Sequence, residues 1–382
     1  MLKISRDLAL LAATAIFHSV ACAATPLPSP PEVSAEAYLV ADFNSGVTLA
    51  EKDSDRRVEP ASITKVMTAY VVFKELKAGN LSLEDQVTIS ENAWRRSMRT
   101  SRTFLEPRTQ VSVEVLLKGM IIQSGNDASI ALAEHIAGSE QTFAAVMNAY
   151  AEKLGMTGTN FTNSTGLPNP EHYTTARDLF LLSRALIAEF PDYYTWYSNS
   201  EFTYNGITQP NRNKLLRQEE GVDGIKTGWT ESAGYCLLSS ALRDDVRLIA
   251  VVLDAPKEPA RNADSKALLN YGFRFFETHR LYGAGDEITS VRVWQGTSET
   301  VALGVKEDIF VTVPRGRYEE LSAALDLPER MIAPVDGEIP VGELTVTLDD
   351  ETVVTRPLYP ATSVAEGNLW QRVSDGVLLW FE

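Results

Sequence analysis

The feature that most constrains this chain is the order of three short motifs. Each alone is common, because a Ser-x-x-Lys spacing is usually a solvated pair on a helix and Ser-Gly-Asn is an ordinary turn. Lys-Thr-Gly alone is the end of a strand before a turn. Together they supply a nucleophile, two lysines, a second hydroxyl and an amide, which favours acyl transfer through a serine ester. The motifs are Ser62-Ile63-Thr64-Lys65, Ser124-Gly125-Asn126 and Lys226-Thr227-Gly228.

The first motif predicts a nucleophile and its base. Residues three apart are neighbours on one face of a helix, so Lys65 is expected beside the hydroxyl of Ser62. Serine is a poor nucleophile until a base removes its proton, and a lysine is that base only when it is neutral. Burial and a second nearby cation favour the neutral amine, and Lys226 is the candidate for that cation.

The second motif predicts side chains that move a proton and hold the substrate. We expect a loop to bring Ser124 and Asn126 to the cleft that holds Ser62. Ser124 would relay a proton to the leaving amine, and Asn126 would hold either Lys65 or a substrate amide. The backbone N–H groups of Ser62 and Trp229 are the candidate oxyanion hole.

The third motif predicts a carboxylate site on the edge of a strand. Lys226 and Thr227 offer a cation and a hydroxyl, which suit a substrate carboxylate. Gly228 has no side chain that would block a peptide lying along that edge.

Composition excludes several other classes of function. The chain has 382 residues, 44% of them hydrophobic, which suffices for about two domains with packed cores. Its formal net charge of -16 argues against nucleic acid as a partner, because nucleic-acid binding needs basic patches. The histidines and the two cysteines, Cys22 and Cys236, show no metal-ligand spacing, so we expect no metal and no organic cofactor. Cys236 stands in an apolar run and is expected to be a buried, inert thiol.

The N-terminus predicts an export signal. Lys3 and Arg6 precede the apolar run 8–17, and Ala21-Cys22-Ala23 offers a small-x-small cleavage site. The predicted signal peptide is therefore 1–23, and the proline-rich segment 24–34 is a linker. The alternative is an uncleaved anchor, although the apolar run is short for a membrane span.

Hydrophobic patterning predicts an α+β fold in two domains. Residues 35–281 combine strands with a helix-rich middle, and 282–365 show short alternating runs typical of a small all-β sandwich. Specific expectations are helices at 62–77, 113–122, 127–136, 143–154 and 265–277, a helix opening at 175–178, and a hairpin of 235–242 with 246–253.

The last segment, 366–382, predicts an amphipathic helix. Trp370, Val373, Val377, Trp380 and Phe381 fall on one helical face, a pattern that favours a membrane interface. The alternative is a helix that packs on the β domain. The segment has one basic residue, so any attachment to a membrane would depend on apolar contacts.

Five stretches carry a resemblance to a known family: 59–65, 123–127, 172–178, 222–228 and 271–277. On these stretches the chain resembles the D-alanyl-D-alanine carboxypeptidases, which are low-molecular-mass penicillin-binding proteins of peptidase family S11. The resemblance extends over essentially the whole chain. It implies a β-lactamase/transpeptidase-like catalytic domain, followed by the β sandwich and a C-terminal amphipathic helix.

The resemblance also implies a substrate, inhibitors and a location. The substrate would be the peptidoglycan stem pentapeptide, which would lose its terminal D-alanine through an acyl-enzyme on Ser62, and β-lactams would be inhibitors. The protein would be periplasmic and attached to the outer face of the inner membrane through its C-terminal helix. By similarity of surroundings, Arg261 would help to bind the terminal carboxylate and Arg212 would support that site; the alternatives are an exposed loop arginine and a surface turn.

One departure keeps other functions open. Many relatives have histidine after Lys-Thr-Gly, whereas this chain has Trp229. This difference concerns the rate of turnover and the deacylation step, and not the class of enzyme. The rival enzymes are a D,D-endopeptidase that acts on cross-links and a β-lactamase. The rival from another class is a penicillin-binding sensor that is acylated but barely turns over.

Overall fold

The structure is a computed structural model, and it describes residues 27–380. The predicted signal peptide 1–23, the first three residues of the 24–34 linker and the last two residues of the chain lie outside the described residues. The helices are α1 (Thr64–Lys77), α2 (Glu91–Ser97), α3 (Val113–Ile122), α4 (Asn126–Ala137), α5 (Glu140–Lys153), α6 (Ala176–Glu189), α7 (Pro191–Tyr194), α8 (Glu258–Phe275) and α9 (Leu369–Leu378).

The strands of the first part form one main sheet and two small hairpins. They are β1 (Ala37–Asp42), β2 (Thr48–Lys52), β3 (Gln86–Thr88), β4 (Gln110–Ser112), β5 (Glu201–Tyr204), β6 (Ile207–Pro210), β7 (Val222–Thr230), β8 (Gly234–Arg243) and β9 (Val246–Ala255). The main sheet is antiparallel with the strand order β2-β1-β9-β8-β7. This order leaves β7, which carries Lys226, at one edge of the sheet.

The main sheet lies between two apolar cores because its side chains alternate between its faces. Leu39 belongs to the core shared with α1, α3 and α4, whereas its neighbour Val40 belongs to the core shared with Leu268 and Leu269 of α8. The central strands β1, β8 and β9 are therefore apolar on both faces. The helical layer on one face carries the first two motifs, and β7 at the edge carries the third.

Several helices agree with the sequence pattern, and one does not. The helix at Val113–Ile122 and the hairpin of β8 with β9 are confirmed. The helix predicted at 265–277 is wrong at both ends, because α8 begins at Glu258 and Glu277 lies in a strand. Pro259 occupies the first turn of α8, where its missing N–H removes no hydrogen bond within the helix, so it is compatible with the earlier helix start.

The second part of the chain is all β apart from α9 and a short 3₁₀ turn, which confirms the predicted fold class. Its strands are β10 (Phe276–Tyr282), β11 (Glu287–Trp294), β12 (Thr300–Gly304), β13 (Ile309–Pro314), β14 (Ser322–Asp326), β15 (Met331–Ile332), β16 (Gly342–Leu348) and β17 (Glu351–Pro360). β10 pairs with β13, and the other six form one sheet. Thr278 of β10 donates a 2.9 Å hydrogen bond to Asp42 of β1, which joins the two parts.

The C-terminal helix α9 presents its apolar side chains to solvent. Trp370, Val373 and Val377 are all more than half exposed, whereas Asp375 accepts a 2.6 Å hydrogen bond from the backbone N–H of Gln295. In the described part of the helix, the apolar face therefore does not pack on the β domain, so that alternative is wrong. None of the helices within residues 27–380 is long and apolar enough to cross a membrane.

Candidate active site

A tight turn presents Ser62 at the start of α1. Ser62 lies in a 3₁₀ turn, Ala61–Ile63, and Ala61 has a φ of +48°, a left-handed conformation that is uncommon for residues other than glycine. Gly166 packs directly behind this turn, where a Cβ atom would lie 1.7 Å from the carbonyl oxygen of Ala61. The loop that carries Gly166 therefore supports the strained backbone of this turn. We call Ala61–Ile63 the nucleophile turn, after the predicted nucleophile Ser62.

Lys65 lies one turn along the helix and contacts the hydroxyl of Ser62. Its amine donates a 3.1 Å hydrogen bond to Ser62 Oγ and a 2.6 Å bond to the carbonyl oxygen of Thr165. Burial lowers the pKa of Lys65 to about 7, against the opposing effect of the Glu140 and Asp127 carboxylates. An amine with this pKa is largely neutral slightly above pH 7, so it is able to accept the proton of Ser62.

A second cation, besides the predicted Lys226, acts on Lys65. Arg212 lowers the pKa of Lys65 further, whereas the amine of Lys226 is itself held well below its ordinary pKa, chiefly by burial. Lys65 also lowers the pKa of Lys226, so the two amines disfavour each other's charged form, and the permanently charged guanidinium of Arg212 adds to this effect.

A buried histidine supports the nucleophile turn from behind. The Nε2 atom of His172 lies 2.8 Å from the hydroxyl of Thr64, which in turn donates to the carbonyl oxygen of Ala61. The Nδ1 atom of His172 accepts a hydrogen bond from the backbone N–H of Thr162, so Nε2 carries the proton. Burial lowers the pKa of His172 to about 4, which keeps the imidazole neutral at pH 7.

The turn between α3 and α4 brings Ser124 and Asn126 to the same region. Ser124 has a φ of +66°, and its buried hydroxyl has no hydrogen-bond partner among the described residues. The Oδ1 atom of Asn126 is likewise buried without a partner there, while its Nδ2 donates to Thr100. Buried polar atoms without a hydrogen-bond partner are costly in a folded protein unless a substrate or water uses them.

Strand β7 brings the third motif against the nucleophile turn. Lys226 and Thr227 are buried, and Thr227 lines the same cleft as Ser62. A Cβ atom on Gly228 would lie 3.0 Å from the carbonyl oxygen of Pro60 and 3.1 Å from Ala61 Cβ. The glycine therefore favours close packing of β7 on the nucleophile turn. Gly228 also lines the cleft, where the predicted peptide would lie along the strand edge.

One cleft of about 480 Å³ has a cationic end and is lined by Ser62, Ser124 and Thr227. The side chains of Lys65, Asn126 and Lys226 are buried and are not among its lining residues. Arg261 is buried in the cationic end, where Tyr235 and Trp229 line the adjoining wall. Trp229 is 56% exposed, with its ring 5.8 Å from that of Tyr235. Arg212 lines the cleft as well and donates to Gln123, although it is exposed to solvent, as the surface-turn alternative expected. Arg261 is buried, so it is not the exposed loop arginine of the other alternative. The other lining residues include Ser101, Pro210, Asn211, Lys214, Arg217, Gly228 and Glu258.

Comparison with known proteins gives a consistent family assignment. Residues 24–257 match the family model described as D-alanyl-D-alanine carboxypeptidase, and 276–366 match the C-terminal domain of penicillin-binding protein 5. The chain belongs to the D-alanyl-D-alanine carboxypeptidase family.

Individual members of this family match over most of their length. The D-alanyl-D-alanine carboxypeptidases DacC and DacA of Escherichia coli are 44% and 42% identical, over 96% and 94% of this chain and 93% and 90% of their own. Penicillin binding protein 5 of Haemophilus influenzae has a crystal structure that superposes with a TM-score of 0.86 at 41% identity, covering 89% of this chain and all of that one. Both parts of the chain therefore have counterparts in this family.

Two groups in this site of the carboxypeptidase family were not predicted from the sequence. The carbonyl oxygen of Thr165 holds Lys65, and a backbone oxygen carries no signature in the sequence. Glu140 accepts hydrogen bonds from the backbone and the hydroxyl of Ser164, and it orders the loop that presents Thr165. The stretch 160–173, with its glycine and prolines, signalled a loop but not what the loop supports.

Proposed function

We propose that this D-Ala-D-Ala carboxypeptidase removes the terminal D-alanine from peptidoglycan stem pentapeptides through an acyl-enzyme on Ser62. The observation that carries the proposal is the 3.1 Å contact of Ser62 with a buried lysine whose pKa is lowered to about 7. Serine esters form only where a base is poised beside the hydroxyl. Membership of the family supports the carboxypeptidase reaction as the one that this pair performs.

Acylation uses Lys65 as the base. Neutral Lys65 takes the proton of Ser62 as the oxygen attacks the carbonyl carbon of the penultimate D-alanine. The backbone N–H groups of Ser62 and Trp229 are assigned to the developing oxyanion. The C–N bond then breaks, and the leaving amine receives a proton through the unpartnered hydroxyl of Ser124. D-alanine departs and the shortened peptide stays as an ester on Ser62.

Deacylation returns the enzyme to its starting state. A water molecule attacks the ester carbonyl while Lys65 again accepts a proton, and the Ser62 oxygen leaves and recovers its own proton. The products are the tetrapeptide carboxylate and the free hydroxyl of Ser62. This step decides between a carboxypeptidase and a sensor that remains acylated.

The terminal carboxylate of the substrate is assigned to the cationic end of the cleft. Arg261 is buried there and has a single carboxylate within 4 Å among the described residues, Glu258 at 3.8 Å. Thr227 adds a hydroxyl, and a bound carboxylate would favour the charged form of Lys226. Asn126 is assigned to a substrate amide through its unpartnered oxygen.

β-Lactams are proposed as inhibitors because their ring amide mimics the D-Ala-D-Ala end. The related protein of Haemophilus influenzae is named as a penicillin binding protein. Attack of Ser62 on the lactam carbonyl opens the ring, and the leaving amine stays tethered to the ester. It therefore cannot diffuse away, and the ester persists.

The test is mass spectrometry of the intact protein, incubated separately with penicillin and with a peptide that ends in D-Ala-D-Ala. We expect a penicillin adduct on Ser62, catalytic release of D-alanine, and loss of both in Ser62→Ala. Ser232→Ala is the matched control, because its hydroxyl lies outside the cleft and bonds Glu59. An adduct on another residue, or D-alanine release by Ser62→Ala, would refute the assignment. A single D-alanine per chain would favour the sensor.

We further propose that the protein works in the periplasm, attached peripherally to the inner membrane. The N-terminal sequence supports export, and the exposed side chains of Trp370, Val373 and Val377 support apolar attachment through α9. Binding to lipid vesicles by wild type and by Trp370→Glu tests the attachment. Equal binding by the two proteins would contradict it.

A further inference from the structure

A second hollow adjoins the cationic end of the cleft. Its volume is about 450 Å³, and it shares two lining residues, Lys214 and Glu258, with the cleft. These two side chains form an ion pair at 2.8 Å. Because the same two residues line both spaces, the ion pair stands between the cleft and the second hollow.

The position of this pair relates it to the leaving group. Glu258 lies three residues before Arg261 on α8, and its carboxylate is 3.8 Å from the Arg261 guanidinium. The proposed function assigns the terminal carboxylate of the substrate to Arg261. The rest of the departing residue, including its side chain, would therefore lie close to the Lys214–Glu258 pair.

The second hollow has the chemistry to hold a longer side chain. Leu215, Pro259 and Ala263 give it apolar surface, and Gln218 and Asn262 add polar groups. Lys266 at its rim forms an ion pair at 2.7 Å with Glu219, which also pairs with Arg243 at 2.8 Å. The apolar surface in a hollow of this size would accept several methylene groups.

We infer that the Lys214–Glu258 pair is an end wall that limits the leaving residue to a D-amino acid with a small side chain. This inference rests on the proposed function, because it takes the leaving group to lie at Arg261. Without the pair, the cleft would open into the second hollow and would accept D-residues with longer side chains. The pair thus permits release of a single D-alanine. It disfavours cleavage before a bulkier residue, such as one that belongs to a second peptide.

The test compares two peptides that differ only in the leaving residue, one ending in D-Ala-D-Ala and one in D-Ala-D-norleucine. The measured quantity is the ratio of their kcat/KM values in wild type, Lys214→Ala and Glu258→Ala. The two variants open the wall from opposite sides, and Lys214→Ala leaves Glu258 beside Arg261. Both side chains are more than a third exposed, so these changes are tolerated by the fold. Lys306→Ala, which removes another lysine paired with a glutamate, is the control.

We expect wild type and Lys306→Ala to favour the D-alanine peptide, and the relative rate for D-norleucine to rise about tenfold or more in both wall variants. Equal use of the two peptides by wild type would overturn the inference. So would an unchanged ratio in the variants with D-alanine release retained. Failure of wild type to release either residue would instead refute the proposed function, and the end wall with it.

Discussion

The amine of Lys65 donates a 2.6 Å hydrogen bond to the backbone carbonyl oxygen of Thr165. The proposed base is therefore positioned by a loop a hundred residues away as well as by its own helix. The next residue back, Ser164, is held by Glu140 through its N–H and its hydroxyl. Changes in this loop should alter catalysis without touching the substrate.

Glu140→Gln should shift the pH dependence of acylation. The carboxylate of Glu140 raises the pKa of Lys65, so removing its charge lowers that pKa and leaves the amine neutral at lower pH. We expect the acidic limb of the penicillin acylation rate to move to lower pH. Glu152→Gln, an exposed change at the end of the same helix, is the control. A limb that moves to higher pH would contradict the electrostatic argument.

Gly166→Ala should damage the nucleophile turn. Gly166 has a φ of +81°, and a Cβ atom would lie 1.7 Å from the Ala61 carbonyl oxygen, so the loop or the turn must move. We expect a loss of about 2–4 kcal/mol in the free energy of unfolding and slower acylation. Thermal unfolding and penicillin labelling measure the two effects.

Gly155→Ala separates the clash from the backbone effect in that experiment. Its φ is +76°, but nothing lies within 4 Å of the added Cβ, so it should lose only about 1–2 kcal/mol and keep its acylation rate. Equal losses in the two variants would show that the contact with Ala61 is unimportant.

His172 should make the protein less stable in acid. The folded protein holds the pKa of His172 at about 4, mainly by burial, while an unfolded histidine has a pKa of about 6.5. Between pH 4 and pH 6.5, the unfolded state thus binds more protons than the folded state. This contribution is complete above pH 6.5 and is lost as the pH falls toward 4, on the order of 3 kcal/mol in total.

The measurement for His172 is urea unfolding at pH 7, 5.5 and 4.5. His172→Gln removes the titrating ring, so the loss of stability with falling pH should be smaller than in wild type. His135→Gln changes an exposed histidine and should follow the wild-type profile. Identical pH profiles for wild type and His172→Gln would contradict the account.

The sequence predicted the secondary-structure elements and the residues of the site better than the physical causes of their arrangement. Local periodicity of apolar residues sufficed to predict the helix Val113–Ile122. The order of the motifs sufficed to predict that Ser62, Ser124 and Thr227 lie in one cleft. The predicted start of α8 at 265 was too late, because the helix begins at Glu258 with Pro259 in its first turn, a position that tolerates the missing N–H.

Contacts between distant segments were beyond sequence reasoning. Gly228 packs on the turn at Ala61, and that contact depends on how β7 docks against the helical layer. The effect of Arg212 on the pKa of Lys65 depends on how a distant loop packs beside the first helix, which local sequence does not reveal. The partner of Lys65 on the loop is a main-chain oxygen, which any residue type would supply.

The central claim is that Ser62 is activated by neutral Lys65, and the pH dependence of penicillin acylation tests it most directly. With a Lys65 pKa of about 7, the second-order rate constant should rise about tenfold per pH unit below pH 7 and level off above it. Lys65→Arg keeps the charge but cannot accept a proton, so its rate should fall by about 10²–10⁴. A rate that does not change with pH in wild type, or a wild-type rate in Lys65→Arg, would contradict the account.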